Sequence, residues 1–208
     1  MKIQRKSMML LGIAAACVLI VSLILYFGDR SNPAGLRGHE AAENASGRPL
    51  VQIGSLYITE ADLARYKEHM QFTSETPADD TTLVKELAID QLMLHLADEQ
   101  GLTATREEGI REAERMRKTL QEQPAEVQAQ HAAFIDELKV SEEAYWEDYA
   151  APFYQEQLSK ANLVSALVAK QKEDGRDVIA TGHALRNKLL EAALKDGTLK
   201  VLDPDMQW

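Results

Sequence analysis

Residues 50–63, Leu50-Val51-Gln52-Ile53-Gly54-Ser55-Leu56-Tyr57-Ile58-Thr59-Glu60-Ala61-Asp62-Leu63, hold three structural signals in a row. Two short runs rich in β-branched and aromatic residues flank Gly54-Ser55, the pattern of a small hairpin or strand-turn-strand. Thr59, with Asp62 three positions later, reads as a helix N-cap followed by an acidic first turn. A helix is therefore expected from about Glu60 to Phe72, with residues 73–80 as a loop.

Downstream the chain reads as a succession of amphipathic helices. From about Thr82 to Gln100, Leu83, Val84, Leu87, Ala88, Leu92, Leu94, Leu96 and Ala97 give a broad apolar face, as in the central helix of a bundle. Gly101 stands where a left-handed C-cap belongs. Thr105 and Glu108 form a capping box that starts a third helix with Ile110, Ala113, Met116 and Leu120 on one face. Pro124 interrupts, and Val127, His131, Phe134 and Leu138 mark a fourth helix. Ser141 with Glu142 and Glu143 caps a fifth, which continues past Pro152 to the Asp174-Gly175 turn. A last helix, about Ala180 to Lys195, stops at Gly197, and residues 198–202 read as a short closing strand.

Upstream the composition changes abruptly. Residues 7–28 carry no charge, and Met8 to Phe27 are almost all apolar or small. About 20 helical residues suffice to cross a hydrocarbon core of about 30 Å. Lys2, Arg5 and Lys6 precede this run, so the positive-inside bias places residues 1–6 in the cytoplasm and the remainder outside. An uncleaved transmembrane signal-anchor is expected at 7–28, ranked above a lipoprotein signal at Cys17, because apolar residues continue through that cysteine. Residues 29–49, rich in Gly, Ala, Asn and Ser, read as a flexible linker. The helical domain is expected over 50–208.

The chain has 23 basic and 33 acidic residues; setting aside Lys2, Arg5 and Lys6 leaves a net −13 outside the membrane. That sign argues against nucleic acid or anionic lipid as partner. The single cysteine lies inside the apolar run, so no disulfide framework holds the domain. The five histidines are scattered without metal-ligand spacing, and no phosphate loop or nucleophile motif appears. His95 and His131 are expected at helix surfaces or edges. No catalytic residue, metal or cofactor is assigned.

Tyr145, Trp146, Tyr149, Phe153 and Tyr154 place five of the twelve aromatic residues within ten positions. Tyr145, Tyr149 and Phe153 repeat every four residues and would share one helical face, which favours a core role. The functional reading makes Trp146 or Tyr154, which lie off that stripe, part of a groove for extended apolar peptides. Met70 and Phe72 pose the same choice, so these seven residues are the candidate peptide-binding set.

The order of elements resembles the N-terminal domain of SurA/PrsA-type chaperone-foldases. Residues 51–63 are similar to that family's opening, with Gly54-Ser55 where Asn-Gly is usual. Residues 88–92 and 97–103, the Thr105-to-Glu108 restart and Val140 to Trp146 resemble its following helices. Residues 198–202 are similar to the terminal strand that returns to pair with the first. Between Lys160 and His183 only about two dozen residues stand where the family's parvulin isomerase domain would lie. The resemblance thus implies a peptide-holding scaffold without isomerase chemistry. The expected fold is mainly α: a transmembrane helix, then a multi-helix domain with a small strand pair formed by N- and C-terminal segments. The expected function is a membrane-anchored holdase for unfolded or exported polypeptides. The alternatives are a dedicated adaptor for one membrane or envelope protein and, more remotely, residual prolyl isomerisation.

Overall fold

β1 (Pro49–Ile53) and β2 (Leu56–Thr59) pair antiparallel around Gly54-Ser55 in the computed structural model, which describes residues 47–70, 79–174, 182–206 and 208. Ile53 faces Leu56 in the register, so the turn has two residues. Gly54 takes φ 54° and Ser55 does not go positive, the signs of a glycine-first type II′ turn. A side chain at Gly54 would also collide with His95, whose Cε1 would lie 2.7 Å from the added Cβ.

β3 (Leu199–Val201) pairs antiparallel with the other edge of β1, giving the order β2-β1-β3. The pairing of N- and C-terminal segments is therefore present, but within a three-stranded sheet rather than as a strand pair. The hairpin strand lies on the opposite edge of β1. Backbone bonds extend the closure beyond the ladder, with Gly54 N–H donating to Thr198 O at 2.8 Å and Leu202 N–H to Leu50 O at 2.8 Å. Arg48 adds side-chain bonds to Glu60 and to buried Asp203, each at 3.0 Å.

The helix starts follow their caps. α1 (Glu60–Met70) begins at Thr59, whose N–H and Oγ1 both donate to Asp62 Oδ2 while its Oγ1 accepts from Asp62 N–H. α2 (Asp80–Glu99) begins with Asp79 accepting from Thr82 N–H and ends in a Schellman motif: Leu102 N–H reaches Ala97 O and Gly101 N–H reaches Asp98 O. Gly101 at φ 65° makes that ending possible. α3 (Arg106–Gln121) has both halves of the Thr105–Glu108 capping box. α4 (Ala125–Glu137) starts after Pro124 and ends where Lys139 takes φ 56°. Ser141 caps the short α5 (Glu142–Ala144), which passes through a π-helical turn (Tyr145–Ala150) into α6 (Ala151–Glu173). α7 (Gly182–Asp196) leads into β3.

Two apolar cores result. The larger packs Leu50, Val51 and Ile53 of β1 against α2, with Leu163 of α6 and Leu190 of α7 closing it. Leu92 and Leu163 are fully buried, and each such leucine contributes about 1.5–3 kcal/mol. An ion-pair network ties the helices around this core: Asp90 of α2 receives Lys160 of α6 at 3.4 Å and Arg186 of α7 at 3.1 Å. The smaller core lies between α3, α4 and the π turn, and contains Ala113, Ile135, Tyr145 and Trp146. α6 joins the two, and Gly109 of α3 lets its backbone approach: a Cβ there would sit 2.4 Å from Ala151 O.

Residues 7–28, expected to span a membrane, lie outside the described residues, as does the linker to residue 46. Among the described residues no helix is long and apolar enough to cross a membrane.

Candidate functional site

The aromatic cluster is built by an insertion in the helix that carries it. At the π turn Ala151 N–H bonds Trp146 O, five residues back instead of four. Pro152 follows directly; it has no N–H to give, and its ring crowds the carbonyl four residues earlier. A widened turn just before it relieves both problems. The inserted residue shifts the inward face, so Tyr145 and Trp146 are both buried, followed by Ala150 and Ala151. The stripe expected from Tyr145, Tyr149 and Phe153 is thereby broken: Tyr149 is only half-buried.

Tyr145 meets Trp146 edge-on at 5.2 Å between ring centres. From α4, His131 stacks on Trp146 at 5.4 Å with the planes 21° apart, and lies edge-on to Tyr145 at 5.1 Å. Phe134 approaches Tyr145 at 6.0 Å. His131 is therefore a core residue, 5 % exposed, and not the surface or edge histidine expected from its helix. Burial holds its pKa below the ordinary 6.5, while the Glu142 carboxylate pulls the other way. Burial pushes the Tyr145 hydroxyl up to about 12 and raises that of Tyr154 as well.

The candidate peptide-binding set is thus divided. Tyr145, Trp146 and Phe153 are buried, at 8 %, 7 % and 4 % exposure, and Tyr149 and Tyr154 pack half-buried against the smaller core. Phe153 rests on Tyr154, with ring centres 5.2 Å apart. Phe72 and the side chain of Met70 lie outside the described residues, so nothing places them beside the cluster.

Sequence reasoning missed what surrounds these rings. Two grooves flank Arg117 of α3. One, of about 670 Å³, runs between α3 and α4 over Leu120, Ile135 and Val140. The other, of about 420 Å³, lies between α3 and the π turn over Ile110, Ala113 and Trp146. Ile110, expected on the packed face of α3, is instead 36 % exposed at this second groove. Arg117 lines both and crosses the boundary, bonding Glu142 at 3.1 Å and Glu143 at 3.3 Å. A third groove, of about 470 Å³, runs beside β2 past His95 and Gln155.

No family model, curated protein or solved structure matches this chain. What the grooves can do follows from their chemistry. Among the described residues no three His, Cys, Asp or Glu side chains converge as metal ligands. The grooves mix aliphatic side chains with carboxylates and guanidinium groups, a lining suited to noncovalent capture of a polypeptide segment.

Proposed function

We propose that the chain is a chaperone-like protein, tethered by residues 7–28 with its helical domain outside the membrane, that holds segments of exported polypeptides without covalent chemistry. The observation that carries this reading is the return of β3 to β1 at the end of the helical succession. That closure agrees with the peptide-holding scaffold that residues 50–203 resemble. The grooves beside Arg117 supply contact surface next to the ring cluster.

A second reading, an adaptor for one membrane or envelope protein, is favoured by a different observation. Tyr145, Trp146 and Phe153 are consumed by the core, which leaves short grooves of mixed polarity in place of a wide aromatic one. Fragment 47–208 contains both cores, and its effect on the aggregation of several unrelated unfolded clients separates the readings. Suppression across clients supports the holdase; no effect on any of them overturns it and leaves the adaptor. The same fragment on a prolyl peptide checks the chemistry, since measurable isomerisation would overturn the noncatalytic reading.

A further inference from the structure

We infer that the two grooves flanking Arg117 form one channel for an amphipathic segment that carries lysine or arginine beside apolar side chains. The inference rests on the polypeptide-holding reading and names the class of segment held. The grooves are contiguous in their lining, because Arg117 belongs to both. Its bonds to Glu142, which lines the first groove, and Glu143, which lines the second, run between them, and these carboxylates are 58 % and 70 % exposed. Ion pairs so exposed are weak, so an incoming segment can displace the latch.

Charge selects the occupant. Glu114, Asp136, Glu142, Glu143 and Glu147 line the channel against Arg106 and Arg117, an excess of three negative charges. Glu114, Asp136 and Glu147 make no ion pair among the described residues, so the fold does not use their charge. Leu120, Ile135 and Val140 on one side and Ile110 on the other offer the apolar contacts. Trp146, 7 % exposed, forms part of the floor of the second groove and adds apolar surface there.

The test uses the full chain in detergent micelles and two short fluorescent peptides, one alternating lysine with leucine and one alternating glutamate with leucine. The lysine peptide is expected to bind, more weakly as salt is added, and the glutamate peptide to bind at least about tenfold less tightly. The triple variant Glu114→Gln, Asp136→Asn, Glu147→Gln should lose about tenfold in affinity for the lysine peptide at an unchanged melting temperature. Equal binding of both peptides, salt-independent binding, or full affinity in the triple variant would each overturn the channel. Salt dependence is read on the unaltered chain, so it decides even if the variant misfolds. Client aggregation separates the two levels of the reading. If clients are protected equally by the chain and its triple variant, the holding function stands and the channel falls. If the lysine peptide binds as described but no client is protected, the channel stands and the holding function falls.

Discussion

Gly109→Ala gives the sharpest test of how the two cores are joined. The added Cβ would stand 2.4 Å from Ala151 O, 2.9 Å from Gln155 Cβ and 3.1 Å from Gln155 N. Comfortable contact needs about 3.5 Å, so α3 and α6 would have to part by roughly 1 Å. They are not free to do so. Just ahead of α3, Ala104 N–H donates to Ser159 Oγ at 2.9 Å, Gln155 Nε2 donates to Ala104 O at 2.9 Å, and Asn162 Nδ2 donates to Leu102 O at 3.1 Å. Alanine gains about 1 kcal/mol of helix propensity over glycine. Overpacking costs about 1–3 kcal/mol, and each of those bonds, if stretched out of range, about 1 kcal/mol more. The balance is a loss of about 2 kcal/mol, or roughly 4–8 °C in melting temperature for a domain of this size. Thermal unfolding of fragment 47–208 by circular dichroism measures it. Gly101→Ala is the contrast: nothing lies within 4 Å of its added Cβ, and only the φ of 65° opposes it, at about 1 kcal/mol. If Gly109→Ala melts at or above the parent temperature, the close approach of α3 to α6 is wrong.

Trp146→Ala should lower stability by about 3–5 kcal/mol, read by denaturant titration, because the indole fills the smaller core beside His131. Unchanged stability with lost client binding would instead return Trp146 to a groove. His131 has a native pKa below its unfolded value, so its contribution is complete above pH 6.5 and is lost as the pH falls through the lowered native value. Melting temperature should therefore drop between neutral and mildly acid pH, and His131→Phe should flatten that drop; parallel curves would count against the buried neutral ring. Lys139→Gly should stabilise the domain by about 1 kcal/mol by removing a left-handed lysine at the end of α4, visible as a higher denaturant midpoint.

Elements whose signals are local were legible. The Gly54-Ser55 turn, the Thr59 cap, the Thr105–Glu108 box and the Gly101 ending each rest on a few adjacent residues, and each is found where expected. The π turn was not legible from periodicity, because a single inserted residue leaves composition unchanged while moving the face. Pro152 was the available signal: a proline inside a continuing helix requires some distortion ahead of it. His131 was misplaced for a related reason. Its spacing with Val127, Phe134 and Leu138 already put it on the apolar face of α4, but a histidine there reads as an edge residue until the rings of the π turn that cover it are known. The grooves beside Arg117 depend on the angles at which three segments meet, which no local pattern encodes. Tyr145 and Phe153 are buried as the core reading of the stripe expected, Tyr149 only half so, and Trp146, placed off the stripe as a groove candidate, is buried as well.

The placement of β1 sets how force enters the domain. Residues before Arg48 lead directly into the middle strand of the sheet, and the Arg48 side chain bridges Glu60 and Asp203 at that point of entry. A pull from the N-terminal side loads β1 along its length, against β2 on one edge and β3 on the other. Both ladders then resist in shear, and their bonds must fail together, where an edge strand could be peeled away bond by bond. A domain entered in this way resists tension applied from its N-terminal side without unravelling strand by strand from that end.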